Sequence, residues 1–381
     1  MRHIHGLNAV EVIVGCATCG YKGCCSQLMR EKFIRRELTN FVREFVMNLH
    51  VVTPRLGWKA CLTIALLSMM TIADCWLTPA AVAQTYSFRT VQVPGAASTQ
   101  VFRSNNFGEM AGNFGTTEIS VDTSFLLAKG VFTPIVLLSG STFSSFTFAQ
   151  GINNRAQVIG LYTDSDGFAH GFLWSRNGKY IVINVPGAFS SEPASINDAG
   201  VVAGYYDDGN RFHGFLAQCG PVSCGNFTTV DFPGAVGSIA LGINDAGQIV
   251  GAYSLSDPYV QHARHGFLRD TNQSFATVDF PGAIETLAWG LNNSADIAGP
   301  YLDNNNAFHG FTRIGGVYAT LDFPGAAETE PTGINDHQQV VGSYSFVSSH
   351  LTLDFYGFVA TPTGNKLRSG NSGPARFWMR H

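Results

Sequence analysis

A glycine followed by an asparagine and then by a second glycine, at nearly fixed spacing, recurs along this chain and limits what it can fold into. From the first glycine to the asparagine is ten residues in five copies: Gly95 to Asn105, Gly187 to Asn197, Gly234 to Asn244, Gly282 to Asn292 and Gly325 to Asn335. A sixth copy, Gly140 to Asn153, is three residues longer. Seven residues beyond each asparagine stands Gly112, Gly160, Gly204, Gly251, Gly299 or Gly342. Six units with a period of 43–48 residues therefore fill residues 85–362.

Within a unit the apolar segments alternate or run for four to seven residues, never for a helix length, and so read as strands. In the fourth copy the phrase TVDFPGA, at residues 229–235 and again at 277–283, puts Pro233 and Gly234 at the centre of a type II turn. Pro presets φ there and Gly accepts the positive φ that follows. Strands are expected over 228–232, 238–243, 248–253 and 265–269, with Asn244 opening and Gly247 closing a type I turn between the second and third. Four-stranded units of this period, six in number, predict an all-β fold, a six-bladed β-propeller. The opening segment YSFRTVQV is placed to complete the last blade and close the ring. Glycine in the strand after the asparagine turn suggests crowding near the axis.

The two ends of the chain lack the pattern. Arg55 and Lys59 precede an apolar run at residues 60–73, and small residues at Ala81 and Ala83 follow, the order of a secretory signal peptide cleaved before Gln84. The run is short for a membrane span, so no stable span is expected in the mature form. Met47 would start a signal of ordinary length. Residues 1–46 then read as a leader from a mis-assigned start, 47–83 as the signal peptide, 84–362 as the propeller and 363–381 as a flexible tail. Cys16, Cys19, Cys24 and Cys25 invite a zinc or iron–sulfur reading, but two adjacent cysteines rarely reach one metal, and no metal or cofactor is expected. The body keeps Cys219 and Cys224, an even pair that predicts a local disulfide in a secreted or periplasmic chain.

Residues 84–381 carry fourteen Lys/Arg against twenty-two Asp/Glu, a net of 14 − 22 = −8. An acidic body without a basic stripe excludes nucleic acid as the partner, and a monomer is expected.

His170, His213, His265 and His309 open the segments HGFL, HGFL, HGFL and HGFT. Together with GINDAGQIVGAY at residues 242–253, they resemble the HAF repeat family of extracellular bacterial proteins. The likeness runs through all six units, with Gly in place of the signature's Ala, and with Thr123 and Tyr356 where the first and last units would carry His. The resemblance implies export and a propeller-like repeat. It implies no activity and no catalytic residue.

One histidine per unit spreads imidazoles around a ring, whereas a catalytic metal needs them to converge, so hydrogen bonding between strands is the expected role. Asp231, Asp279 and Asp322 give way to Gln92, Leu137 and Asn184 in the other copies and mark no acid–base pair. DSDG at residues 164–167 lacks the later ligands of a calcium loop and reads as a turn. A rim is the better candidate. Two residues beyond each second glycine stands an aromatic, Phe114, Tyr162, Tyr206, Tyr253, Tyr301 or Tyr344, with Asp164, Asp207, Asp208 and Asp303 close behind in three copies. Such a circle of rings and carboxylates could stack sugars or, alternatively, simply pack between blades. Tyr162, Asp164, Tyr206, Asp208, Tyr253, Tyr301, Asp303 and Tyr344 are thus the candidate ligand-binding residues. The expected function is a non-enzymatic binding module for a glycan or a cell-surface protein. Its rivals are a lyase or hydrolase working in the axial channel, with the irregular second unit near residues 141–150 as its site, and a structural envelope protein.

Overall fold

The computed structural model describes residues 84–116, 123–135, 143–164, 169–261, 263–346 and 355–363. The chain divides into two units, Met1–Ala81 and Val82–His381, and most of the second is described. The expected leader with Cys16, Cys19, Cys24 and Cys25, the expected signal peptide and the expected tail beyond residue 363 lie outside the described residues.

The described residues form six antiparallel sheets around an axis, a six-bladed β-propeller, with no helix among them. The fourth blade shows the plan. Its strands are Gly237–Ile243, Ile249–Ser254, Arg264–Arg269 and Phe275–Thr277, hydrogen-bonded in that order. The first strands of successive blades contact one another around the ring, so each blade begins at the axis and ends at the periphery. The fifth blade has its inner strand broken into Glu285–Thr286 and Gly290–Leu291. The sixth takes Tyr86–Val91 as its outer strand, paired with Tyr356–Pro362 from the other end of the body. That pairing closes the ring, as the opening segment predicts.

TVDFPGA is the connector from the outer strand of one blade to the inner strand of the next. Gly234 has φ +82°, and the Ala235 amide donates to the Phe232 carbonyl at 3.1 Å, the expected turn. Gly95, Gly187, Gly282 and Gly325 have φ between +79° and +83° in the equivalent turns. The ten residues from that glycine to the asparagine are the inner strand itself. Its sixth copy is longer because Phe143–Ile152 carries an extra irregularity, between residues 143 and 147.

Crowding does fix the second glycine, though the cause is local. The inner strand bulges between Ala240 and Gly242, which drives the Ile239 carbonyl toward its neighbour. A Cβ on Gly251 would lie 2.0 Å from that oxygen. The same clash, at 1.9–2.3 Å, faces Gly112, Gly160, Gly204, Gly299 and Gly342. In HGFL the glycine is equally confined, since a Cβ on Gly214 would meet the Val230 carbonyl at 2.3 Å. The phenylalanine that follows fills the blade interface: Phe125, Phe172, Phe215, Phe267, Phe311 and Phe358 are all less than 2% exposed.

Cys219 and Cys224 form the expected disulfide, directly opposed across the hairpin of the third blade's outer two strands. The loop spans a sequence separation of 5, so little chain entropy is removed. Reduction is expected to lower stability by no more than about 2 kcal/mol, and alkylation without reductant should label neither cysteine.

Candidate functional site

Inner strands begin on one face of the propeller, with the connectors, and end on the other, with the asparagine turns. The proposed rim belongs to the connector face, but most of its rings are turned inward. Tyr162, Tyr253, Tyr301 and Tyr344 are each less than 10% exposed. Tyr253 stacks on Phe232 at 3.7 Å between centroids, Tyr301 on Phe280 at 3.9 Å and Tyr344 on Phe323 at 3.6 Å. Those phenylalanines belong to the connectors, so each stack locks one blade to the next. The phenol oxygens bond to threonines: Tyr253 to Thr277 at 3.1 Å, Tyr301 to Thr320 at 3.2 Å and Tyr344 to Thr90 at 2.9 Å. These rings pack, and they present no face to a sugar. Tyr206 is half-buried, stacked on His213 at 5.0 Å. The side chain of Asp164 lies outside the described residues.

The histidines buckle four of the six blades. Nδ1 of His213 lies 2.7 Å from Asp231, that of His265 2.9 Å from Asp279 and that of His309 2.9 Å from Asp322. The other oxygen of each aspartate accepts the amide of the glycine after the histidine, at 3.1–3.2 Å. His170 meets Asn184 at 3.1 Å instead. Asp208 and Asp303 cap their own loops: Asp208 accepts the amides of Asn210 and Arg211, and Asp303 those of Asn305 and Ala307. These bonds, the Asn210 and Ala307 amides foremost, hold both carboxyls below the usual range. Among the described residues no three His, Cys, Asp or Glu side chains are placed to hold a metal ion.

The axis is filled rather than open. Two residues before the turn asparagine, five copies carry Gly or Ser, namely Gly151, Ser195, Gly242, Gly290 and Gly333, whereas the first carries Arg103. Its guanidinium donates to the carbonyls of Thr332, Leu241 (2.6 Å) and Trp289 (2.8 Å), on the inner strands of other blades. Burial lowers Arg103 to about 9, which leaves it charged at neutral pH. From the connector face, Val260 tucks among Ala194, Ile239, Leu241 and Leu287. Residues 141 and 142 of the irregular second unit lie outside the described residues.

A cavity of about 590 Å³ opens on the connector face beside that plug, over the fifth blade. Trp289, Phe308, Phe355, Leu287 and Leu302 supply its apolar walls, and Gln261, Asn306, Arg264, Glu285 and Glu330 its polar ones. Arg264 Nε donates to Glu285 at 2.8 Å, and the other Glu285 oxygen accepts the Ala263 amide at 2.9 Å. The loop that carries Gln261 is held across blades by the Phe212 amide, which donates to the Pro258 carbonyl at 2.9 Å. Sequence reasoning did not single out this cavity. Its one signal is that inner-strand positions facing it differ between copies: where Trp289 stands, the others have Phe102, Gln150, Ala194, Leu241 and Thr332.

No family model matches the chain. No curated protein matches it either. Among solved structures, TolB from Acinetobacter baumannii is 13% identical with a TM-score of 0.45, covering 70% of this chain and 64% of that one. The chain thus spans less than two thirds of the length of that protein. A neuraminidase-like protein of A/flat-faced bat/Peru is 10% identical with a TM-score of 0.44, covering 77% and 98%. A mutant lectin of Aleuria aurantia, in complex with Fucα1-6GlcNAc, is 10% identical with a TM-score of 0.39, covering 74% and 100%.

Proposed function

We propose that this is an exported, HAF-like propeller that binds a glycan in the connector-face cavity without transforming it. The observation that carries the reading is the cavity's lining, in which aromatic rings adjoin amide and carboxylate side chains. Sugars bind such surfaces by stacking C–H faces on rings and exchanging hydroxyl hydrogen bonds. Binding is favoured over hydrolysis by the state of the acids. Glycoside cleavage uses two carboxyl groups, and both oxygens of Glu285 are already engaged. Export rests on the basic, apolar, small-residue order of residues 55–83, which makes a secreted or periplasmic location part of the proposal.

A glycan array on the exported protein tests this. Phe308→Ala should weaken any hit about tenfold or more and leave the melting temperature nearly unchanged, while Asp208→Ala, outside the cavity, should leave affinity intact. An unchanged affinity in Phe308→Ala, or turnover of the bound glycan, would overturn the reading. A protein partner is the second reading. It is favoured by Phe189, Val236 and Ile284, exposed apolar residues that follow the connector turn in three consecutive blades of this face.

A further inference from the structure

The opposite face holds a feature that the glycan reading does not use. Each turn asparagine donates from Nδ2 to the carbonyl of the next blade's asparagine at 3.1 Å, from Asn105 round to Asn335 and back to Asn105. Above that closed ring lies a second, made by the next residue of each turn: Asn106, Asn154, Asp198, Asp245, Asn293 and Asp336. The backbone amide of each donates to Oδ1 of the next at 2.8–2.9 Å, and this ring also closes.

Three of these six side chains are carboxylates, gathered around one axis. Asp336 accepts from Asn106 and Asn293, Asp245 from Asn293, and Asp198 from Asn154, so amides meet part of their hydrogen-bonding capacity but none of their charge. No described cation pairs with any of them. Arg103 lies deeper on the axis and gives its N–H groups to carbonyls. Arg155 and His337 are exposed on neighbouring turns, and Glu109 pairs with Arg176. Beneath the second ring a collar of Ile152, Ile196, Ile243, Leu291 and Ile334 lines the funnel, with Ser104 as its sixth member. Ser104 is 8% exposed, and its hydroxyl has no hydrogen-bond partner. A buried hydroxyl left unpaired costs free energy, and Ser104 belongs to the lining of the same funnel as the three uncompensated carboxylates.

We propose that this funnel is a cation site, taking a cation that itself presents hydrogen-bond donors: an aqua metal ion or a primary ammonium group. The carboxylates are not placed to coordinate one ion directly, so the cation is held through its water or N–H protons. The funnel's volume of about 70 Å³ is roughly that of two water molecules, enough for a water or ammonium head beneath the carboxylate ring and within reach of Ser104. Like charges held together by the fold, and relieved by a bound cation, make the site a stabilising one.

The test is calorimetric titration of the chelator-treated exported protein with magnesium chloride in one arm and propylammonium chloride in the other. One arm should saturate at one cation per chain and raise the melting temperature by roughly 2–4 °C at saturation. Ser104→Ala breaks no internal hydrogen bond, so it should fold and bind several-fold more weakly. Asp198→Asn combined with Asp245→Asn should lose at least about tenfold in affinity. The proposal is overturned if neither cation binds below about 10 mM, or if both variants bind as the natural protein does.

Discussion

Gly251→Ala is expected to cost about 4 kcal/mol and to lower the melting temperature by roughly 8 °C or more. The added methyl would sit 2.0 Å from the Ile239 carbonyl and 2.8 Å from the Phe267 ring. Neither can yield cheaply. The carbonyl belongs to the bulge that shapes the inner strand, and Phe267 is wholly buried between blades. Gly234→Ala is the internal comparison, because it meets nothing within 4 Å and suffers only from φ +82°, a penalty of about 1–2 kcal/mol. Denaturant midpoints of the two variants decide the matter. If Gly251→Ala proves no worse than Gly234→Ala, close backbone approach is not what fixes the second glycine. Affinity for any glycan that the proposed cavity takes should survive Gly234→Ala in whatever folds, since Gly234 is not among the residues that line it.

Blade number and the place of each strand along a unit were legible because they rest on backbone demands that recur at fixed spacing. A positive φ at Gly234 and a turn opened by Asn244 leave marks that any copy must repeat. The strand ends shifted by only a residue or so for the inner three strands, but the outer one stops at Thr229 and the connector takes over. Which strand is innermost was not legible, since the segments of a unit all read as short alternating or apolar runs that carry no mark of distance from the axis; burial separates them only in the folded chain, where Gly237–Ile243 is buried throughout and Phe275–Thr277 is largely exposed.

The rim misled for a physical reason: an aromatic with a polar tip looks the same in sequence whether its face meets solvent or another ring. A signal was nonetheless present among the copies. Where the connector carries Phe232, Phe280 or Phe323, the next blade's tyrosine is buried beneath it; where it carries Val93 or Val185, Phe114 and Tyr206 stay half-exposed. Arg103 was likewise open to detection, as the lone charge at a position otherwise Gly or Ser. The cavity was harder, because it forms where the copies differ, and a repeat argument discards differences.

Asn244→Ala should be the most costly change on the asparagine face, at about 3 kcal/mol. Asn244 is 3% exposed, and its amide works at three points at once. Nδ2 donates to the Asn292 carbonyl at 3.1 Å and to the Gln248 side chain at 2.8 Å, while Oδ1 accepts the Gln248 amide at 2.9 Å. Truncation strands all three partners in a place water reaches poorly, and it opens a closed ring that joins every blade to its neighbour. The outer ring offers the control. Asp245 is exposed, so Asp245→Ala removes hydrogen bonds that water can replace and should cost no more than about 1 kcal/mol. Hydrogen exchange extends the comparison. With Asn244 gone, amides of the inner strands in the fourth and fifth blades should exchange faster, whereas Asp245→Ala should leave them protected. Equal costs for the two substitutions would mean that the connector stacks of Tyr253, Tyr301 and Tyr344, rather than the asparagine ring, hold the blades in register.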